Sequence, residues 1–292
     1  MAAAPRRGAR QWPDGMTSGI NLKPILKWAG GKARLAPQIA DAFDQPCDGI
    51  YYEPFLGSAA VYLYLRANGL VSRGVLSDAN PKLVEVHKAV RDCVDDVLEH
   101  IAFMPTEDWR ERYYEVRDAY NEGPWEGPAH AARFLWLNRA GFNGLYRENR
   151  SGRFNVPVGR YAQLNFPSEE RFRGVSELLQ DTELVSGDFQ EILERAREGD
   201  HVYCDPPYVP LTETACFVGY CKAPFGIAEQ KALALTARKA AFRGARVVLS
   251  NHDLPVVRNE LYPTARGFQH VAKPRVARAI SRNAAARKAV SE

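Results

Sequence analysis

Apolar residues along this chain fall into two patterns. Short continuous runs at Ile50–Glu53, Gly74–Ser77, Leu184–Ser186, His201–Cys204 and Val247–Ser250 read as buried strands. Helical stripes cover Arg34–Phe43, Ala59–Arg66, Leu83–Val90, Trp109–Tyr120, Ala129–Asn138, Glu191–Arg197 and Ala228–Phe242. The first elements run strand, glycine turn (Gly57-Ser58), helix, strand and then an acid, Asp78, which is the order of a nucleotide-binding βαβ unit. After Pro81 the texture changes. Gly123-Pro124 and Gly127-Pro128 break the chain, and Ala140–Tyr161, dense in Gly, Asn and Arg, reads as loops with a β-hairpin. The α/β texture returns near Leu184. The pattern therefore predicts an α/β domain from residues 21–80 and 168–292, interrupted by a helical module at 81–167, with residues 1–20 as a disordered tail. Its sheet is expected to be mostly parallel with one antiparallel strand.

Composition narrows the class. A chain of 292 residues, 46% hydrophobic, can bury a substantial core. No apolar run approaches the ~18 residues of a bilayer span, so no membrane association is expected. Arg6, Arg7 and Arg10 precede no apolar block, which argues against a secretory signal. Cysteines at 47, 93, 204, 216 and 221 are odd in number and show neither a C-x-x-C pair nor zinc spacing. Reduced thiols in a cytoplasm, and no metal, are expected. The net charge of +4 is compatible with an anionic partner but does not identify one. Its placement is more informative. Asn138–Tyr161 holds arginines at 139, 147, 150, 153 and 160 against one acid, Glu148, so this stretch alone carries +4. In a generic protein such a stretch is a solvated hairpin.

The sharpest chemical signal is Asp205-Pro206-Pro207-Tyr208, placed directly after a strand, where ligands bind in open α/β sheets. Taken alone it could be a proline-stiffened turn. Two prolines fix the backbone and remove two donors, so what remains is a pair of acceptors, the Asp205 carboxylate and the Pro206 carbonyl, beside the Tyr208 ring. An exocyclic amine whose lone pair is delocalised into a purine needs such a pair. Each acceptor takes one N–H and draws the nitrogen toward a tetrahedral shape, while stacking on Tyr208 holds the ring. Positioning and electrostatics then suffice for an in-line displacement, without a metal or a cysteine nucleophile. A second signal is Glu53-Pro54-Phe55-Leu56-Gly57-Ser58, with Asp78 about twenty residues on, the spacing of a ribose-binding acid. The full G-x-G-x-x-G is missing, which argues against a pyrophosphate-bearing cofactor. Third is Lys27-Trp28-Ala29-Gly30-Gly31-Lys32, which lacks the P-loop frame and by itself reads as a glycine turn.

In this order, these blocks resemble the bacterial and phage DNA adenine methylase (Dam) family, the alpha group of N6-adenine DNA methyltransferases. The resemblance continues through Asn143-Gly144-Leu145-Tyr146-Arg147, Phe154-Asn155-Val156-Pro157, Gly159-Arg160-Tyr161, Leu249-Ser250-Asn251-His252-Asp253, Ala279-Ile280-Ser281-Arg282-Asn283 and Arg287-Lys288, and spans nearly everything after residue 22. It implies a Rossmann-like methyltransferase sheet with an inserted helical DNA-recognition domain, S-adenosyl-L-methionine as methyl donor, and double-stranded DNA as substrate. Catalysis would fall to Asp205, Pro206, Pro207 and Tyr208. Trp28, Ala29, Gly30, Lys32, Phe55, Gly57, Asp78 and Asp205 would surround the donor, with Asp188 and Phe189 at its adenine. Arg147 would read a guanine, with Leu145 and Pro157 at a thymine methyl. Lys27 would help to read the first guanine, Arg160 would hold phosphate, and Tyr161 would insert beside the gap left by a flipped adenine. Arg139, Asn143 and Asn155 complete the implied DNA face. The implied site is GATC, and the protein is expected to act as a cytoplasmic, nucleoid-associated monomer. Ser58-Ala59-Ala60 departs slightly from the family, which often has further glycine there.

Rival chemistries fit less well. A cytosine-C5 methyltransferase needs a catalytic Cys after Pro, and Pro46-Cys47 lies in an acidic loop outside any catalytic frame. Zinc deaminases need H-x-E and P-C-x-x-C, which do not occur. Nicotinamide dehydrogenases are disfavoured by the broken glycine pattern. Cytosine-N4 methylation poses the same chemical problem and is the nearest alternative, though that group usually begins the motif with Ser. A DNA-binding relative without turnover would not need Lys32, Asp78 and Asp205 together.

Overall fold

The computed structural model describes residues 23–209 and 225–269, and the backbone of 275–277 and 289–291. The expected tail, Cys216, Cys221 and the blocks at 279–283 and 287–288 lie outside the described residues. At the centre is a sheet of β1 (Tyr51–Glu53), β2 (Gly74–Asp78), β3 (Thr182–Ser186), β4 (His201–Cys204) and β5 (Arg246–Leu249), in the order β3-β2-β1-β4-β5. Every pairing in it is parallel. The expected antiparallel strand is not among these five; antiparallel pairing occurs in a separate ladder of β6 (Arg275–Ala277) with β7 (Ala289–Ser291). β1 and β4 are buried along their whole length, as central strands covered on both faces must be.

Flanking helices are α1 (Ala36–Phe43), α2 (Ala60–Ala67), α8 (Phe189–Arg195) and α9 (Ile227–Phe242). From β1 the chain winds outward through β2 to β3, then returns to the other side of β1 for β4 and β5. The direction therefore reverses between β1 and β4, and a crevice opens at their carboxyl ends, the preferred ligand position in such sheets. Glu53-Pro54-Phe55-Leu56-Gly57 leaves β1 into it, and Asp205-Pro206-Pro207-Tyr208 leaves β4 into it.

The long connection from β2 to β3 carries α3 (Pro81–Asp92), α4 (Val94–Ala102), α5 (Tyr113–Glu122), α6 (Gly127–Ala140) and α7 (Glu169–Leu178). α6 is the hub, packed against α3, α4 and α5, with Trp136 fully buried and its indole N–H donating to the Pro105 carbonyl at 2.9 Å. α3 starts cleanly because Asn80 caps the Lys82 and Leu83 amides and Pro81 pre-sets the first turn. α4 and α7 were not predicted. α4 follows α3 after a single non-helical residue, Cys93, with no glycine or proline to mark the break. α7 did carry a start signal, Ser168 capping Arg171 with Glu169 and Glu170 in the first turn, in a stretch assigned to no element. The predicted hairpin is present as an excursion closed by isolated antiparallel bridges, Gly141 with Val158 and Glu148 with Phe154. One apolar core runs from Ile25 and Leu26 through Tyr51 and Leu83 to Trp136 and Phe172, so the sheet and the inserted helices share it.

Candidate active site and DNA interface

The crevice between β1 and β4 brings the three sequence blocks together. Lys32, only 5% exposed, places its ammonium 3.0 Å from Asp205 Oδ1 and donates to the Gly30 carbonyl at 2.7 Å. The same ammonium stands 4.7 Å from the centre of the Tyr208 ring. The Asp205–Tyr208 turn is braced from beneath. Gln230, on α9 and 1% exposed, donates to the Pro207 carbonyl at 2.7 Å and accepts from Asn251 at 3.0 Å. Asn251 accepts from the Val209 and His252 amides, and the His252 ring meets Tyr208 edge-on at 4.9 Å. Among the described residues no donor meets the Pro206 carbonyl. Burial pushes the Cys204 thiol far up, so this cysteine is a packing residue rather than a nucleophile.

The loop after β1 is shaped by Gly57. It sits at φ +47, and a β-carbon there would lie 2.8 Å from Trp28 Cδ1, so only glycine lets the indole lie against the backbone. Its N–H donates to Asp78 Oδ2 at 3.1 Å, while Oδ1 accepts from Asn80 N at 3.0 Å. Burial raises the Asp78 carboxyl above its usual range, against the lowering effect of those two amides. A carboxylate has about four acceptor positions, so two bonds leave room for hydroxyl donors. Phe55 stacks on Phe189 at 5.6 Å, and Phe225 closes on both rings, which makes an aromatic slot. Asp188 is exposed and caps α8 through Gln190 N at 2.7 Å. Ala29 and Gly30 form the turn that carries Lys32. Glu53 was not singled out from the sequence as a site residue. It is 3% exposed, accepts from the Tyr51 hydroxyl at 2.7 Å, and its carboxyl is pushed up to about 8 by burial, with the Asp205 charge adding to the rise.

The residues expected to read DNA are more scattered. Arg147 and Arg160 are exposed, as is Pro157; Asn143, Leu145 and Asn155 are half-buried. Asn155 holds Arg147 at its Nε by 2.6 Å and accepts from Nη2 at 3.1 Å, so the outer edge of the guanidinium, Nη1 with the second Nη2 hydrogen, faces out. Asn143 adopts the left-handed conformation, φ 54, that asparagine tolerates best among side-chain-bearing residues. The Lys27 ammonium lies 4.4 Å over the Tyr161 ring. Arg139 differs from the other arginines. It is half-buried, bonds to the Ile25 carbonyl, and burial draws its basicity down to about 10. Asn138, 3% exposed, stitches two distant segments. Its amide accepts from Lys27 N at 2.8 Å and donates to the Lys27 carbonyl at 2.7 Å and the Gly144 carbonyl at 3.1 Å. Gly144 is required for this approach, since a β-carbon there would stand 2.6 Å from Lys27 Cβ.

The D12 class N6 adenine-specific DNA methyltransferase family matches residues 28–274. The chain belongs to that family. The methyltransferase is 38% identical to the DNA adenine methylase of Haemophilus influenzae over 279 residues, 94% of this chain and 93% of that protein. It is 37% identical to the DNA adenine methylase of Escherichia coli K12 over 273 residues, 92% and 93% of the two chains. Its identity to the Type II methyltransferase M.MjaIII of Methanocaldococcus jannaschii is 36% over 245 residues, 80% and 85% of the two. It is therefore an adenine-specific DNA methyltransferase, as the resemblance implied. No helix among its described residues is long and apolar enough to cross a membrane.

Like Glu53, residues Gln230, Asn251 and Asn138 of this methyltransferase were not assigned from the sequence. Asn251 lay in a quoted block, but its bracing of the Asp205–Tyr208 turn depends on a partner on α9 that no spacing rule indicates. A groove of about 870 Å³ runs along β5, α1 and α9; Asp205 and Tyr208 do not line it.

Proposed function

We propose that this methyltransferase uses S-adenosyl-L-methionine to methylate N6 of an adenine flipped out of double-stranded DNA, within GATC. The observation that carries the reading is the convergence of Asp205 and the Gly57 loop on one crevice at the β1/β4 reversal. The residues present fit the donor. Phe55, Phe189 and Phe225 offer a slot for its adenine, Asp78 retains acceptor capacity for ribose hydroxyls, and Gly57 permits close backbone approach. Trp28, Ala29, Gly30 and Lys32 form the neighbouring wall, with Asp188 at the rim.

When bound, the donor supplies an electrophilic methyl on a sulfonium. Asp205 and the Pro206 carbonyl each accept one N–H of the target amine, which frees its lone pair and aims it. Tyr208 stacks on the ring. As the amine gains the methyl it becomes positively charged, and the Asp205 carboxylate stabilises that charge until a proton leaves. Lys32 and the target amine share Asp205, one carboxylate oxygen each, so Lys32 gives up only its place over the Tyr208 ring as the adenine enters.

Residues 81–167 are proposed as the DNA-recognition module, with 21–80 and 168–292 as the catalytic part. Arg147 reads guanine with the guanidinium edge that Asn155 leaves outward, and Lys27 reads the first guanine. Leu145 and Pro157 meet a thymine methyl. Arg160, Asn143, Asn155 and Arg139 support the backbone, and Tyr161 fills the gap left by the flipped base. A single chain suffices, and action as a cytoplasmic, nucleoid-associated monomer is part of the proposal. Expression in a methylation-free host followed by sequencing of modified bases tests it. N6-methyladenine confined to GATC is expected. Methylation at another site refutes the specificity, and N4-methylcytosine refutes the chemistry.

A further inference from the structure

Both backbone polar groups of Gly57 are held by side chains. The N–H goes to Asp78, as described. The carbonyl meets Nε2 of His87 at 2.9 Å. His87 stands on the inward face of α3 with Leu83, Val84 and Val90, and is 1% exposed. A carbonyl only accepts, so Nε2 must carry the hydrogen. Burial lowers the imidazole to about 4, so the ring is neutral at physiological pH and Nδ1 is a bare acceptor. Among the described residues Nδ1 has no partner. An apolar side chain would fill this helix face without leaving a buried acceptor unpaired, which is costly. What the imidazole adds is its bond to Gly57.

We propose that His87 is a positioning residue for the methyl donor: by donating from Nε2 to the Gly57 carbonyl it fixes the peptide that follows Gly57, as Asp78 fixes the one that precedes it, and so sets donor affinity rather than the methyl-transfer step. Gly57 stands at a left-handed φ against Trp28, a conformation that the surrounding structure must hold in place. Asp78 alone constrains only the peptide before Gly57; with His87 the peptides on both sides of Gly57 are fixed before the donor arrives, which lowers the ordering cost of binding. This proposal rests on the S-adenosylmethionine reading above.

The test compares the full chain with His87→Leu and His87→Gln. Glutamine can place an N–H near the position of imidazole Nε2, whereas leucine cannot donate. Calorimetry with S-adenosylmethionine should show binding weakened by roughly 3- to 10-fold in His87→Leu, the scale of one lost hydrogen bond, and largely restored in His87→Gln. The donor KM should rise by the same factor in His87→Leu, with kcat at saturating donor and KM for DNA unchanged. Nitrogen-15 shifts of the imidazole should show the neutral Nε2–H tautomer in the wild type. Unchanged donor affinity in His87→Leu, equal weakening in both variants, a fall in kcat alone, or the opposite tautomer overturns the proposal. If His87→Leu does not fold, His87→Asn replaces it, since its shorter amide stops short of Gly57. A wild type that binds no S-adenosylmethionine would instead overturn the donor reading, and the tautomer measurement would still judge the His87 bond.

Discussion

Asp205→Asn puts the acceptor pair to a sharp test because the change is nearly isosteric. In the structure one carboxylate oxygen already serves the buried Lys32 ammonium at 3.0 Å. The proposed reaction asks Asp205 for a second bond, to the adenine amine. An amide has only one oxygen. Turned toward Lys32, it presents its NH2 to the amine, donor against donor; turned toward the amine, it presents the NH2 to the ammonium. One charge-assisted bond, about 1.5–3 kcal/mol, is lost in either orientation. With the oxygen toward Lys32 the lost bond is the one to the amine's preorganised acceptor, and in both orientations the reacting amine loses the carboxylate charge, about 2.7–4 kcal/mol on the scale of a deleted electrostatic contact at a reacting centre. Single-turnover methyl transfer should therefore fall by roughly 10²–10³-fold, with DNA binding by gel shift little changed. Lys32→Met removes the competitor and leaves the asparagine oxygen for the amine. The double variant should then lose less than the two single losses combined. Turnover of Asp205→Asn within about threefold of wild type would refute the acceptor role. Strict additivity would refute the shared-carboxylate argument.

Other outcomes follow from the same geometry. Asp78→Ala removes both the proposed ribose acceptor and the tie to Gly57, so calorimetry should show S-adenosylmethionine binding weakened by at least about tenfold with DNA binding intact. Arg147→Ala should relax preference at one position of GATC by roughly 1–3 kcal/mol, while Arg160→Ala weakens all sites alike and lowers the salt slope by about one; rates on single-base variants, with binding across salt, separate the two. Stability should peak near neutral pH. Glu53, raised to about 8 from 4.5, contributes stability that is complete below 4.5 and lost as pH rises through 8, at up to about 1.4 kcal/mol per unit. Buried His87, His130 and His201, lowered to about 4 from 6.5, contribute stability present above 6.5 and lost as pH falls toward 4. Thermal unfolding across pH checks this: Glu53→Gln should flatten the alkaline decline, and an unchanged decline would assign it elsewhere.

The parts of this protein that were legible in the sequence are those where local chemistry and function coincide. His201–Cys204 was read to its exact ends because a buried central strand is a continuous apolar run stopped by Asp205 and two prolines. The order of β1, Gly57, β2 and Asp78 was readable for the same reason. Less was legible where partners come from afar. Glu53 sits inside a quoted block, but its raised carboxyl depends on burial between β1 and β4, a pairing that joins residues about 150 apart in the chain. Arg139 counted toward a basic stretch, and only packing shows it half-buried at the Ile25 carbonyl. α4 escaped because nothing but a single non-helical residue divides it from α3.

Asn138 has a consequence for engineering. Its one amide makes a single rigid piece of Lys27, which belongs to the segment before β1, and Gly144, which opens the arginine-bearing loop. Trp28, the next residue, is stacked on Phe134 and Tyr146 from that same inserted region. Exchanging residues 81–167 for those of a relative with another target would therefore transplant only half of the proposed reading head, and would leave the grafted loop facing an N-terminal segment shaped for a different neighbour. A specificity graft on this scaffold should carry residues 23–32 along with the insertion, because the natural unit of exchange is the stitched pair of segments and not the span that looks separable along the chain.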